Sequence, residues 1–293
     1  MTSVYISNDK IQVVIGSDSG KLLTIKRIVL EPLESGCMLN GAIINANAIQ
    51  QHLESMWKAN KLPGGVHVVM NSPNVHTKVV ETPLLPEAKL RLFLQEEFQD
   101  MESEGAPLID YTVLQPKRPE GGALVLAAHA ERTVIGEYIS LFTEAKIPVE
   151  SVNIANSCVI QVMRRMEQYK DKTFILTVFD GSGMMQYLFV NGLFRFAKRL
   201  RLMSEFGTPE MQEELARSLS NMIQFNKSEK NQSSITDIFV CGYPADLPQP
   251  YGQLREALGV EVSALPNADK IRMNGNALLS DYIYAVGNLL VCK

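Results

Sequence analysis

The sequence predicts an α/β fold made of two similar halves. Three observations carry this. Apolar runs of strand length alternate with stretches of helical periodicity. The order strand-strand-strand-helix-strand opens the chain and recurs after residue 172. Tight polar turns such as Asn8-Asp9 and Asn191-Gly192 join successive strands, as in antiparallel hairpins. The repetition lies in topology, not in sequence identity.

In the first half, Val4–Ser7, Gln12–Gly16 and Leu22–Leu30 read as a three-strand meander. Residues Ala46–Asn60 read as a helix, with Ile49, Leu53, Met56 and Trp57 on one face. Lys61–Gly65 ends it, and Val66–Met70 is a short buried strand. A different unit follows. Val75–Glu81 is a strand, and Pro86 opens a helix reaching about Asp100, with Leu90, Phe93, Leu94 and Phe98 inward. Ile109–Leu114 and Ala123–Ala128 are strands. Thr133–Ala145 is a helix, Val149–Ile154 a strand and Ala155–Tyr169 a further helix, whose Arg164 and Arg165 read as a solvated end. In the second half, Phe174–Val178, Met184–Val190 and Leu193–Leu200 repeat the meander. Thr208–Lys227 is amphipathic, Ile238–Cys241 a strand, Tyr251–Leu258 a helix capped by Gly259, Val260–Ala264 an edge strand and Leu278–Val291 a closing helix. The predicted organisation is residues 1–73 and 132–171 as a first subdomain, 74–131 as a small α+β insertion, and 172–293 as a second subdomain.

Of the 293 residues, 46% are hydrophobic and 20% charged, which suits a globular chain with ordinary cores. A net charge of −4 argues against nucleic acid as a partner. No run approaches the roughly 18 apolar residues of a membrane span, so no direct membrane insertion is expected. MTSVYISNDK lacks the basic-then-apolar layout of a signal peptide, which predicts a cytoplasmic protein. Cys37, Cys158, Cys241 and Cys292 form no CxxC pair and read as reduced thiols. His52, His67, His76 and His129 show no HxxxH or HExxH spacing, so no metal site is expected. There is no GxSxG elbow and no GxxxxGK[ST] phosphate loop.

The order of elements and three phrases carry a family resemblance: GGALVLAAHAERTVIGEYISLFTEAKIPVESVNIAN, DIFVCGYPADLP and DYIYAVGNLL. Over nearly the whole chain they resemble the actin-like (ribonuclease H-like) ATPase superfamily, and within it the bacterial PilM family of type IV pilus assembly, itself similar to FtsA. The resemblance implies a duplicated actin-like fold with an α+β insertion. The helical subdomain that the family normally places in the second half is reduced, because only a short span separates Leu200 from Thr208.

In that superfamily ATP lies between the halves, held by glycine-rich hairpin turns with an acidic residue in each. The matching positions make Asn8, Asp180, Gly181, Ser182, Gly183 and Gly242 the candidate nucleotide-binding residues. Each turn departs from the pattern. The first, ISNDKIQ, has no glycine. The second, FDGSGMM, puts Val178 where the family's acidic residue falls. The third has Tyr243 and Pro244 where small residues let adenine lie against the backbone. The expectation is therefore a scaffold, not an enzyme, with no catalytic residue and no cofactor; ATP with Mg belongs to the alternative reading of a nucleotide-controlled switch. The resemblance implies a partner, the N-terminal tail of a PilN-like membrane protein. That partner would hold the chain at the inner face of the cell membrane among other pilus assembly proteins. Self-association stays open. The groove for the tail is expected between the first subdomain and the insertion, with Val79, Phe93 and Tyr111 as candidate contacts. A type II secretion component and an FtsA-like polymer former are the remaining alternatives.

Overall fold

The computed structural model describes residues 1–101, 106–181, 183–229 and 233–292. The first half is built on β1 (Thr2–Ile6), β2 (Lys10–Asp18) and β3 (Leu23–Pro32), followed by a small hairpin of β4 (Met38–Leu39) and β5 (Ala42–Ile43), then α1 (Ala46–Asn60) and β6 (Val66–Met70). Asn45 caps α1 by accepting from the Ala48 amide at 3.1 Å, and Lys61 closes it in the left-handed conformation. The insertion comprises β7 (Val75–Thr82), α2 (Glu87–Glu96), β8 (Leu108–Gln115) and β9 (Ala123–Ala130). The chain then returns through α3 (Arg132–Glu144), β10 (Val149–Ile154) and α4 (Ala155–Arg165). The second half has β11 (Phe174–Asp180), β12 (Gly183–Val190), β13 (Leu193–Arg201), α5 (Pro209–Ser228), β14 (Asp237–Cys241), α6 (Tyr251–Leu258), β15 (Glu261–Ala264), β16 (Ile271–Arg272) and α7 (Ile283–Val291). Thr208 caps α5, with Pro209 at its first position.

Three main sheets result. The first has the order β10-β6-β1-β2-β3-β16, the second β13-β12-β11-β14-β15, and the insertion β7-β9-β8. In both halves an antiparallel hairpin, β1–β2 or β11–β12, adjoins a parallel strand, β6 or β14, on the far side of the hairpin's first strand. That is the predicted repetition. The halves interlock, because β16 comes late in the chain yet pairs with β3 of the first sheet.

The core divides by layer. One apolar cluster lies between the sheets and holds α4 and α7, including Val159, Val162, Tyr187, Ala285 and Leu289. A second packs α1 and α3 on the outer face of the first sheet through Ile49, Leu53, Met56, Tyr138 and Phe142. A third packs α5 and α6 on the second sheet through Met211, Leu215, Leu219 and Leu254. The insertion has its own small core, where Leu90 and Leu94 of α2, and Phe98 in the turn after it, pack on Val80, Val125 and Ala127.

Three expectations need correction. The helix expected over Ala155–Tyr169 stops at Arg165, where Met166 leaves helical geometry before a single 3₁₀ turn. The closing helix likewise starts only at Ile283, after a 3₁₀ turn at Leu279–Asp281; this bend lets the Ser280 carbonyl accept from Gly242 at 3.0 Å. Arg164 and Arg165 are not a solvated end. Arg164 donates to the Val113 and Leu114 carbonyls of β8, and Arg165 pairs with Asp18 at 2.8 Å, with only 13% and 3% of those two side chains exposed.

Removing one partner of a buried ion pair takes away its Coulombic and hydrogen-bond support, at a cost of about 3–5 kcal/mol. Arg165→Ala is therefore expected to lower the unfolding free energy, from a urea titration, by that order. Arg118→Ala, whose partners Glu81 and Glu120 are exposed, is expected to change it far less. Equal effects in the two melts would contradict this assignment.

Candidate functional site

Two concave regions stand out, a cleft between the halves and a groove beside the insertion. The cleft encloses about 640 Å³. At its base two hairpin turns meet. The first is the two-residue turn Asn8-Asp9 between β1 and β2, closed by Ser7 N–H to the Lys10 carbonyl at 2.9 Å. The second is the turn after Asp180, in which Asp180 pairs with Gly183 and Gly181 takes φ +56°. Ser182 lies outside the described residues.

The turns are bonded to each other. The Asn8 amide donates to Asp180 Oδ1 at 3.1 Å, and Asn8 Nδ2 donates to the Asp180 carbonyl at 3.0 Å. Asn8 Oδ1 accepts from the Asn40 amide at 2.8 Å. Tyr5 on β1 donates its hydroxyl to Asp180 Oδ2 at 2.6 Å. Asp180 is 8% exposed. Burial pushes its carboxyl above the ordinary range, against the pull of the Tyr5 and Asn8 hydrogen bonds. Burial, then the Asp180 charge, pushes the Tyr5 phenol well up. Four of the predicted nucleotide residues (Asn8, Asp180, Gly181 and Gly183) thus come together, and Asn8 and Asp180 spend their polar groups on one another. Gly242 lines the same cleft with φ +69°; a Cβ there would sit 2.7 Å from the Phe179 carbonyl oxygen, so the position requires glycine.

The rest of the cleft is aromatic and acidic. Phe179, Phe206 and Tyr243 touch one another at 5.4–5.6 Å between ring centroids. Asp9, Asp246 and Asp281 face it, and Lys10, itself 3.6 Å from Asp9, is the one cation among the described lining residues. A triphosphate needs free amides and cations at close range. Among the described lining residues, Lys10 is the one cation beside four aspartates. No group of three His, Cys, Asp or Glu suited to a metal occurs among the described residues.

The groove encloses about 410 Å³. One wall is the inner face of the insertion sheet: Leu108, Asp110 and Thr112 on β8, with Leu126, Ala128 and Ala130 on β9. The other is Ile135 of α3, Val152–Ile154 of β10 and Ser157 of α4. β8 and β10 are each the last strand of their sheet, so two strand edges border the groove. Thr112 and Ser157 bridge it at 2.8 Å between hydroxyls. Arg91 lies over the Tyr111 ring at 5.5 Å, donates to the Ile109 carbonyl at 3.0 Å and pairs with Asp110 at 3.2 Å. Of the predicted groove residues, Tyr111 borders the groove but alternates with Asp110 and Thr112, so its ring packs with Phe93 on the α2 side, in the small insertion core. Val79 opposes Leu126 on the groove-facing side of the sheet and packs half-buried against the central core. Strand alternation at Ala128 and Ala130, small residues that leave room, was the available signal for this lining.

The sequence matches no family profile and no curated protein. Among solved structures the chain is similar to the PilM-PilN type IV pilus biogenesis complex, with a TM-score of 0.82 and 14% identity over 99% of this chain and 97% of that one. The chain has the actin-like fold. A protein with an actin-like ATPase fold from Bacteroides thetaiotaomicron is similar at a TM-score of 0.55 and 10% identity, covering 100% of this chain and 95% of that one. The cytoplasmic domain of EpsL, an inner membrane component of the type II secretion system of Vibrio cholerae, is similar at 0.50 and 11% identity, over 99% and 92%. In this actin-like chain, the cleft holding the turn-to-turn contact lies where the superfamily expectation put the nucleotide.

Asp180→Ala leaves the Tyr5 hydroxyl and the Asn8 amide unpaired, with an expected loss of about 2–4 kcal/mol by denaturant titration. The pH dependence has a definite sign. A carboxyl raised in the fold contributes stability that is full below the unfolded carboxylate range and is lost as pH rises through its folded value. The wild type should therefore lose stability relative to Asp180→Asn as pH rises from the ordinary carboxylate range. A difference independent of pH would count against the buried carboxyl.

Proposed function

We propose that this actin-like chain is a non-catalytic scaffold of a type IV pilus assembly machine, or of a related secretion machine. It grips the N-terminal tail of a PilN-like membrane protein in the groove beside the insertion. The groove carries this reading. It is largely apolar, it is bordered by two strand edges, and short peptides are captured in such places by a few apolar anchors plus backbone bonds. Likeness to PilM in a complex with PilN supports it. Among the described residues no helix is long and apolar enough to cross a membrane; in this reading the partner brings the chain to the membrane. The chain works at the cytoplasmic face, without ATP hydrolysis, because Asn8 and Asp180 have turned the phosphate cradle into a contact between the halves.

The reading of a nucleotide-controlled switch has one observation in its favour, the retained cleft volume. A titration separates the two. A peptide copied from the tail of the organism's PilN-like protein is expected to bind the full chain saturably. Ala128→Trp, which fills the groove from a half-exposed site, is expected to weaken binding at least tenfold while leaving the melt near wild type. Unchanged peptide affinity in Ala128→Trp, or no binding to the wild type, sinks the groove assignment. A several-degree rise in melting temperature with millimolar Mg-ATP would favour the switch instead.

A further inference from the structure

The chain enters the insertion along β7 and leaves it along β9. These strands pair antiparallel, and one residue from the junction the register sets His76 directly opposite His129. Their ring centroids are 6.1 Å apart, with the rings tilted by 49°. Both project from the face of the sheet that carries α2, away from the groove, and Phe98 of the insertion core lies 5.4 Å from the His129 ring. Strand register makes this pair, so no spacing in the sequence shows it. The two rings line a cavity of about 220 Å³ with Asn74, Met101, Glu131 and Val134. Asn74, His76 and Met101 form its open rim.

His129 is 3% exposed, and buried polar groups are seldom left without a partner. Its Nδ1 lies inward, against its own backbone, and completes no hydrogen bond. Its Nε2 has no partner among the described residues, so this is the nitrogen left to the cavity. His76 makes no hydrogen bond or ion pair among the described residues either. The other two histidines differ. His52 is engaged by Glu31 at 3.3 Å, and His67 by Glu150 at 3.1 Å and Ser151 at 3.0 Å. Lys78, two residues further along the same face, is taken up by Glu97, and Glu131 adds a carboxylate to the cavity wall.

We propose that His76 and His129 bind a divalent transition-metal ion of the zinc or nickel type, one imidazole from each strand, with water in the remaining positions. Imidazole suits these ions, whereas magnesium and calcium prefer oxygen. With metal–nitrogen bonds of about 2.0–2.1 Å, two such rings have centroids about 5–6 Å apart. A small turn of the exposed His76 ring closes the site from the present separation. The ion clips the entering strand to the leaving strand at the root of the insertion. The site lies on the other face of the sheet from the groove and does not depend on its occupant.

The test is calorimetric titration of the full chain, first freed of metal with a chelator, with zinc chloride, with nickel chloride and with magnesium chloride. Saturable binding of one zinc or nickel ion per chain is expected, and no binding of magnesium. His76→Asn, at an exposed position, is expected to raise Kd at least tenfold with far-UV circular dichroism unchanged. His52→Gln and Cys292→Ser, which remove the other accessible imidazole and thiol, are expected to keep wild-type affinity. Zinc is also expected to raise the melting temperature of the wild type and to leave that of His76→Asn where it was. Absence of binding by both zinc and nickel, binding that His76→Asn leaves unchanged, or binding lost in His52→Gln or Cys292→Ser would each overturn the proposal.

Discussion

The contact of Asp180 with Tyr5 and Asn8 is the constraint around which this molecule is arranged. It joins residues 172 and 175 positions apart, one on each side of the cleft. A buried carboxylate is costly, and it persists only where hydrogen-bond donors answer both oxygens. Here the Tyr5 hydroxyl answers one and the Asn8 amide the other. Asn71 extends the chain of contacts, donating to Tyr5 at 3.4 Å and accepting from Arg199 of β13 at 2.5 Å. A continuous polar path thus runs from the second sheet through the first and back. The two turns are linked directly, by the Asn8 amide and side chain and by Asp180.

Other interlocking features act in the same direction. The short strand β16 crosses back to extend the first sheet, and the Leu23 amide donates to the Lys270 carbonyl just before it. α7 is buried over Ile283–Leu290, between the sheets, against α4. Tyr284 on α7 and Tyr187 on β12 share a hydrogen bond at 2.9 Å inside that core. Gln12 on β2 donates to the Asp281 carbonyl at the start of α7. Opening the cleft would break several of these contacts at once, and their costs would add to that of the Asp180 contact.

What the sequence showed and what it hid follow from the range of the interactions involved. α1, α6, β6 and β10 begin and end where periodicity and capping residues put them, because those signals act within one or two turns of chain. The β4–β5 hairpin and β16 are two residues per strand, too short for any period to register. Arg164 and Arg165 looked solvated because a helix end with two cations usually is. Their partners, Val113, Leu114 and Asp18, are 50 to 147 residues away. The Asn8–Asp180 contact is of the same kind. Each turn reads as an ordinary hairpin, and only the closed fold puts the two face to face. Tyr111 and Phe93 pack into the insertion core and Val79 onto the central one, since an apolar residue on a strand or helix does not announce which of two apolar surroundings it faces.

The groove gains from this rigidity although it lies outside the cleft. Its two walls belong to different sheets, so its width depends on how the insertion sits on α4. That seat is fixed by side chains. Asn156 donates to Thr77 at 3.1 Å, Thr112 meets Ser157, and Arg164 holds the carbonyls of Val113 and Leu114. α4 in turn is held by Arg165 on Asp18 and by its packing on α7. Ordering a loose groove around a peptide would consume binding free energy, whereas a groove already held open loses little on binding. The contacts that join the halves and those that seat the insertion on α4 thus act together to hold the groove at a constant shape.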